Sequence, residues 1–189
     1  MRCQKKRKPA GPEVALEALD LGLLGLFVGQ RLNERVLERL HAAGFDGIRM
    51  SHGYVVQHLI GGERSVTELG RLMGVTQQAA SKVTAELATL GYVEHDRGAD
   101  ARVKRIRLSE RGRAMLAQTR KLRRELEDSL TREISPHAVE QTRCVLAELL
   151  RRLGGATTVE RRRLREPRDR LLNPNRAVEP SGGASRFRR

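Results

Sequence analysis

Between Ser65 and Gly112 the chain admits few arrangements, because its caps, stripes and breaks all agree. Ser65 followed three residues later by Glu68 is a capping box, in which each side chain satisfies an orphan backbone donor at a helix start. Val66, Leu69, Leu72 and Met73 then fall on one helical stripe. Gly74 and Val75 break the chain, and Thr76 has the hydroxyl that an N-cap needs to open a second helix. Two helices joined by so short a glycine-containing turn have helix-turn-helix spacing. In the second of them Ala80, Val83, Leu87 and Leu90 recur at inward-facing intervals, which turns Thr76, Gln77, Gln78, Ser81 and Lys82 outward. Hydroxyls, amides and a cation are the groups that suit base edges and phosphates.

Gly91 ends that helix. Tyr92–His95 and Val103–Leu108 read as two strands around a polar loop, Asp96–Arg102. In the return strand Lys104, Ile106 and Leu108 alternate with Val103, Arg105 and Arg107, so one face is largely cationic. Residues 97–124 hold 11 Lys and Arg against Asp100 and Glu110, a local net charge of +9 that attracts polyanions.

This pattern resembles the MarR family of bacterial winged helix-turn-helix transcription factors over roughly residues 13–153. The most specific part is Asp100-Ala101-Arg102, then the alternating strand, then Leu108-Ser109-Glu110-Arg111-Gly112, similar to the family's D-x-R wing and Leu-Thr-x-x-Gly exit. The resemblance implies that Arg102 enters a minor groove at the wing tip while Asp100 holds its guanidinium. A buttressed arginine loses less freedom on binding and meets enhanced negative potential there. Two positions depart from the family: Ala101, where arginine is common, and Glu86, where a basic residue is common late in the recognition helix. The implied fold is mainly α with a small β-wing, a winged helix-turn-helix domain (DNA-binding core 48–112) flanked by dimerisation helices.

The charge distribution fits that expectation. The formal net charge of +14 divides into +5 over residues 1–12, +3 over 13–153 and +6 over 154–189, so the central segment is nearly balanced except at the wing. Aromatics are only 3% of the chain, which disfavours stacking platforms for single strands. An A-form major groove is too narrow for helix readout, which disfavours RNA.

The flanks read as helices with leucine stripes: Leu16, Leu19, Leu23 and Leu26 before the winged segment, then Met115, Thr119, Leu122, Leu126 and Leu130 after it. A last helix starts at Ser135-Pro136, carries Leu146, Leu149, Leu150 and Leu153, and stops at Gly154-Gly155. Such stripes serve packing within one chain or a symmetric partner; the resemblance implies that the first and last helices interleave in a homodimer. Gly22, Gly25 and Gly29 share one side of the first helix and would permit a close backbone approach. Ile48–Ile60 reads as a helix bearing His52, Tyr54 and His58. The family commonly takes small aromatic or phenolic effectors in a crevice between this region and the helix after the wing. His52 and Tyr54 are candidate polar contacts there, and satisfied core or surface side chains are the competing reading.

No cofactor is expected. His52 and His58 do not share a helix face, and Cys3 and Cys144 form no disulfide or zinc pattern, so no metal site is expected and a reduced, cytoplasmic setting is. Cys3 is also a poor match to the family's peroxide-sensing cysteine. No 18-residue uncharged apolar run is present, and Glu13, Glu17 and Asp20 interrupt the stretch after the basic N-terminus. P-loop, H-E-x-x-H and G-x-S-x-G motifs are absent, which argues against an enzyme. Residues 1–12 and 154–189, rich in Lys, Arg, Pro and Gly, are expected to be basic disordered tails. The expected function is a nucleoid-associated, sequence-specific regulator of double-stranded DNA acting as a homodimeric repressor, with an architectural DNA-coating protein as the alternative.

Overall fold

A computed structural model describes residues 14–96 and 105–160. The helix-turn-helix starts where the sequence places it. Ser65 Oγ accepts from Glu68 N–H at 3.2 Å and the Glu68 carboxylate accepts from Ser65 N–H at 2.7 Å, closing the capping box of α3 (Val66–Met73). The Ser65 N–H, with the Ser65 hydroxyl donating at 2.9 Å, holds the Glu68 carboxyl below its usual value. Gly74 ends α3 in the left-handed region at φ 69°, where a side chain would be strained. Thr76 then caps α4 (Gln77–Thr89) by accepting from Ala79 N–H at 3.1 Å.

Around this pair lie α1 (Leu21–Ala42), α2 (His52–Leu59), α5 (Glu110–Glu133), α6 (Pro136–Arg152) and α7 (Ala156–Glu160). Three strands, β1 (Arg64–Ser65), β2 (Val93–Asp96) and β3 (Arg105–Leu108), form an antiparallel sheet in the order β1-β3-β2. Glu94 pairs with Arg107 and Asp96 with Arg105 across β2 and β3, while Arg64 pairs with Ile106 across β1 and β3. Leu69 and Met73 of α3, Leu87 of α4, Val55 and Leu59 of α2, Ile106 of β3 and Tyr92 form the fully buried centre of the core. Val36 and Leu40 of α1 meet Met115 and Leu122 of α5 in the same apolar cluster, tying the long helices to the winged segment.

Several expectations are corrected. The helix expected over Ile48–Ile60 begins only at His52, with Ser51 at its N-cap. The wing has a third strand, β1, which two polar residues at the start of a helix do not announce. Leu16 and Leu19 do not continue the stripe of the first helix: Leu16–Ala18 is a 3-10 turn, Leu19 is extended, and α1 starts afresh where Asp20 accepts from the N–H groups of Gly22 (2.8 Å) and Leu23 (3.0 Å). Asp20 is therefore the cap of the first helix, not an interruption of it. Helix α7 falls inside the stretch 154–189 expected to be mostly disordered. Ser135 and Pro136 open α6 as expected, with Ser135 Oγ accepting from Ala138 N–H at 3.0 Å.

Candidate nucleic-acid interface

Helix α4 presents one polar face. Ala80 and Leu87 are fully buried, which leaves Gln77, Gln78, Ser81 and Lys82 exposed on the other side, with Thr76 exposed at the cap. Thr84, at 3% exposure, joins the inner face because its hydroxyl donates to Ala80 O at 2.9 Å and needs no water. In β3 the alternation also holds: Ile106 and Leu108 are buried, Arg105 and Arg107 exposed. Arg105 pairs with Glu63 at 3.2 Å and Arg107 with Glu94 at 2.9 Å, so the strand's guanidiniums are aimed by acids at the base of the wing. Asp100, Arg102 and Lys104, expected at the wing tip and strand start, lie outside the described residues, as do Cys3 and the tails through 12 and from 161.

Glu86 is the residue that sequence reasoning left without a role. Its carboxylate is ion-paired with Arg49 and lies 3.4 Å from His52 Nε2. His52 is 1% exposed, and its Nδ1 sits 3.2 Å from the Arg49 N–H. Its Nε2 lies between the Arg49 guanidinium at 3.1 Å and the Glu86 carboxylate at 3.4 Å, so the tautomer decides which of the two it bonds. Burial keeps the His52 ring neutral by pushing its pKa below the usual histidine value, against the opposing pull of Glu86. The anion that would repel phosphate from α4 is thus tied back to the loop before α2.

The wing is fastened to α5 at one crowded joint. Ser109 caps α5, its Oγ accepting from Gly112 N–H at 3.0 Å and donating to Gly91 O at 2.6 Å. Ser109 N–H donates to Tyr92 O at 3.1 Å. A Cβ at Gly112 would lie 3.0 Å from the Tyr92 carbonyl carbon and closer still to its oxygen, so only glycine fits. Tyr92 also donates its OH to Asp46 O at 2.9 Å, and Arg111 lies over its ring at 5.0 Å from the centroid. The sequence pattern marks Tyr92 only as a strand residue, and only its aromatic type hints at this anchoring role.

Residues 46–105 match the family model described as MarR family. That segment is a MarR-family winged-helix domain. Solved structures agree in fold: RV1404 from Mycobacterium tuberculosis (18% identity, 76% of this chain and 97% of that one, TM-score 0.60), reduced MarR from E. coli (22%, 70% and 97%, 0.58) and YusO from Bacillus subtilis (20%, 69% and 91%, 0.56). No curated protein matches the chain by sequence. The fold is that of a MarR-family transcriptional regulator, and no helix among the described residues is long and apolar enough to cross a membrane.

Of the two candidate effector contacts, His52 lines a cavity of about 120 Å³ between α1, α2 and α5, together with Asn33, Arg49, Gln57 and Arg123. Tyr54 does not line it; it packs half-buried against the core. No group of metal-ligating side chains occurs among the described residues.

Proposed function

We propose that the chain is a homodimeric transcriptional repressor that reads a pseudo-palindromic operator in double-stranded DNA. The observation carrying this is the exposed row Thr76, Gln77, Gln78, Ser81 and Lys82 on a capped α4, beside a strand whose arginines face out. A protein that only coats DNA needs phosphate contacts, not amides set in a row for base edges. Arg102, with Asp100 as its buttress and Lys104 and Arg105 behind it, extends the contact into the minor groove.

Exposed apolar side chains support the dimer. Leu21, Leu26, Phe27 and Val28 of α1 are 53–71% exposed, and Val145 and Leu146 of α6 with its C-cap Leu153 are 54–83% exposed, at opposite ends of the sequence. Contiguous apolar surface of this kind marks an association face. The dimer places two winged domains about one helical turn, ~10 bp, apart on DNA. A small aromatic or phenolic effector in the cavity beside His52 would act on the junction between these helices and the winged domain.

Footprinting on the DNA upstream of the protein's own gene tests the reading. A symmetric footprint by a dimeric species is expected. Arg102→Ala and Gln77→Ala should each weaken it, Arg102→Ala by about 1–3 kcal/mol. Equal affinity for random duplex at the same salt, with either variant behaving as wild type, would favour the coating protein instead.

A further inference from the structure

At the base of the wing a cavity of about 480 Å³ opens between the end of α2, the loop into β1, strand β3 and α5, sharing only Leu116 with the cavity beside His52. Its size falls in the ~300–1,000 Å³ range of small-molecule sites. The floor is aliphatic: Leu59 and Ile60 from the end of α2, Leu108 from β3, and Leu116 and Ala117 from α5. Around it stand Arg107 from β3 and Arg113 and Arg120 from α5. Arg113, Leu116, Ala117 and Arg120 are spaced i, i+3, i+4, i+7, so a single face of α5 supplies both floor and cations.

The charges around this floor are unbalanced. Glu63 is the one carboxylate among the described lining residues, and it is paired with Arg105 at 3.2 Å. Arg107 is held by Glu94 at 2.9 Å. Arg113 donates to the Leu108 carbonyl at 2.9 Å, which fixes its guanidinium at the rim but leaves its charge uncompensated. Among the described residues Arg120 has no acidic partner within ion-pair distance. Two uncompensated guanidiniums over an aliphatic floor fit a carboxylate on a hydrocarbon body: the anion meets the fork donors of arginine while the chain displaces water from leucine and alanine.

We infer that this cavity is a binding site for a medium-chain aliphatic carboxylate. An added anion beside β3 opposes the approach of phosphate to the wing, so occupancy lowers affinity for DNA; this consequence, unlike the binding itself, rests on the proposed function.

The test is calorimetric titration of the full-length protein with decanoate, below its micellar range and without DNA, so that the site and the DNA reading fail separately. Octan-1-ol and acetate are titrated alongside as the body without the charge and the charge without the body. Saturable decanoate binding is expected, with both comparison ligands at least tenfold weaker. Arg120→Glu should weaken decanoate at least tenfold, and Ala117→Trp, which fills the floor from an exposed position, should abolish binding. Circular dichroism on both variants confirms that they are folded. Arg123→Gln, which alters the cavity beside His52 instead, should leave decanoate affinity unchanged. The inference is overturned if wild type does not bind decanoate, if Arg120→Glu and Ala117→Trp both bind as wild type does, or if Arg123→Gln is the variant that loses it.

Discussion

Gly112→Ala is the substitution for which the structure gives the firmest magnitude. In an open helix position the change would stabilise by roughly 0.5–1 kcal/mol, because alanine loses less backbone freedom on folding. At Gly112 the added methyl meets the Tyr92 carbonyl well inside contact distance, and that carbonyl is backbone held by Ser109 N–H at 3.1 Å. Relief requires β2 and α5 to move apart. The motion costs about 1–3 kcal/mol of forced repacking and roughly another 1 kcal/mol each for the Ser109 cap and the Ser109–Tyr92 bond. Net of the propensity gain, destabilisation of about 2–4 kcal/mol is expected. For a chain of this size that lowers Tm by roughly 5–15 °C. Gly25→Ala is the matched control, since no atom lies within 4 Å of its would-be Cβ in the single chain. Both are melted by circular dichroism at one protein concentration, because assembly shifts Tm by mass action. A Gly112→Ala protein melting within a degree of wild type would show that the joint between wing and α5 is not rigid, and the account of the Leu-Ser-Glu-Arg-Gly exit would be wrong.

Three other outcomes follow from named contacts. Burial holds His52 neutral with a folded pKa below its unfolded value of about 6.5, so the unfolded chain binds the extra proton first. Its contribution to stability is complete above that pH and is lost as pH falls below it, with a slope of at most ~1.4 kcal/mol per pH unit; urea midpoints from pH 7.5 to 5.5 should fall less steeply in His52→Gln, and equal slopes would remove the ring from the account. Arg49→Ala frees the Glu86 carboxylate on α4 and should weaken duplex binding several-fold, with Glu86→Gln in the same chain restoring it; fluorescence anisotropy at fixed salt reads both, and failure of the rescue refutes the electrostatic cause. Leu146→Asp with Leu150→Asp should give a folded monomer by light scattering, whereas a persistent dimer places the interface elsewhere.

Helix starts were legible because a cap is local chemistry. Ser65 with Glu68, Thr76 and Ser135-Pro136 each make their bond within three residues, so spacing alone predicts it. Asp20 carried the same signal, but the leucine stripe drawn across it hid the cap. What the sequence concealed is non-local. Strand β1 is two residues long and exists because Ile106 and Arg105 pair with it from forty residues away. Glu86 looked like a departure from a basic pattern, and its meaning depends on Arg49, which is 37 positions earlier. The candidate base-reading residues were legible as a set, since burying Ala80 and Leu87 leaves a helix no other face to expose. Tyr54 was not, because polarity at one helical position does not say which of two neighbouring faces lines a cavity.

The positions of the acids explain how a central segment with a net charge of only +3 offers a cationic surface. Along the long helices they are matched within reach: Arg31 with Glu34, Arg35 with Glu38, Lys121 with Glu125, Arg143 with Glu127 and Glu140, and Arg152 with Glu148. Exposed pairs of this kind add little stability, but each cancels charge within a Debye length. In the winged segment the acids are spent on structure instead: Glu68 in its capping box and Glu86 on Arg49. Glu63 and Glu94 steady Arg105 and Arg107 at the base of the strand. Lys82 on α4 faces solvent without a carboxylate partner among the described residues. An unpaired cation on that face raises the encounter rate with a polyanion, an effect that weakens with salt. On the proposed reading, the polar row on α4 is what distinguishes one duplex from another.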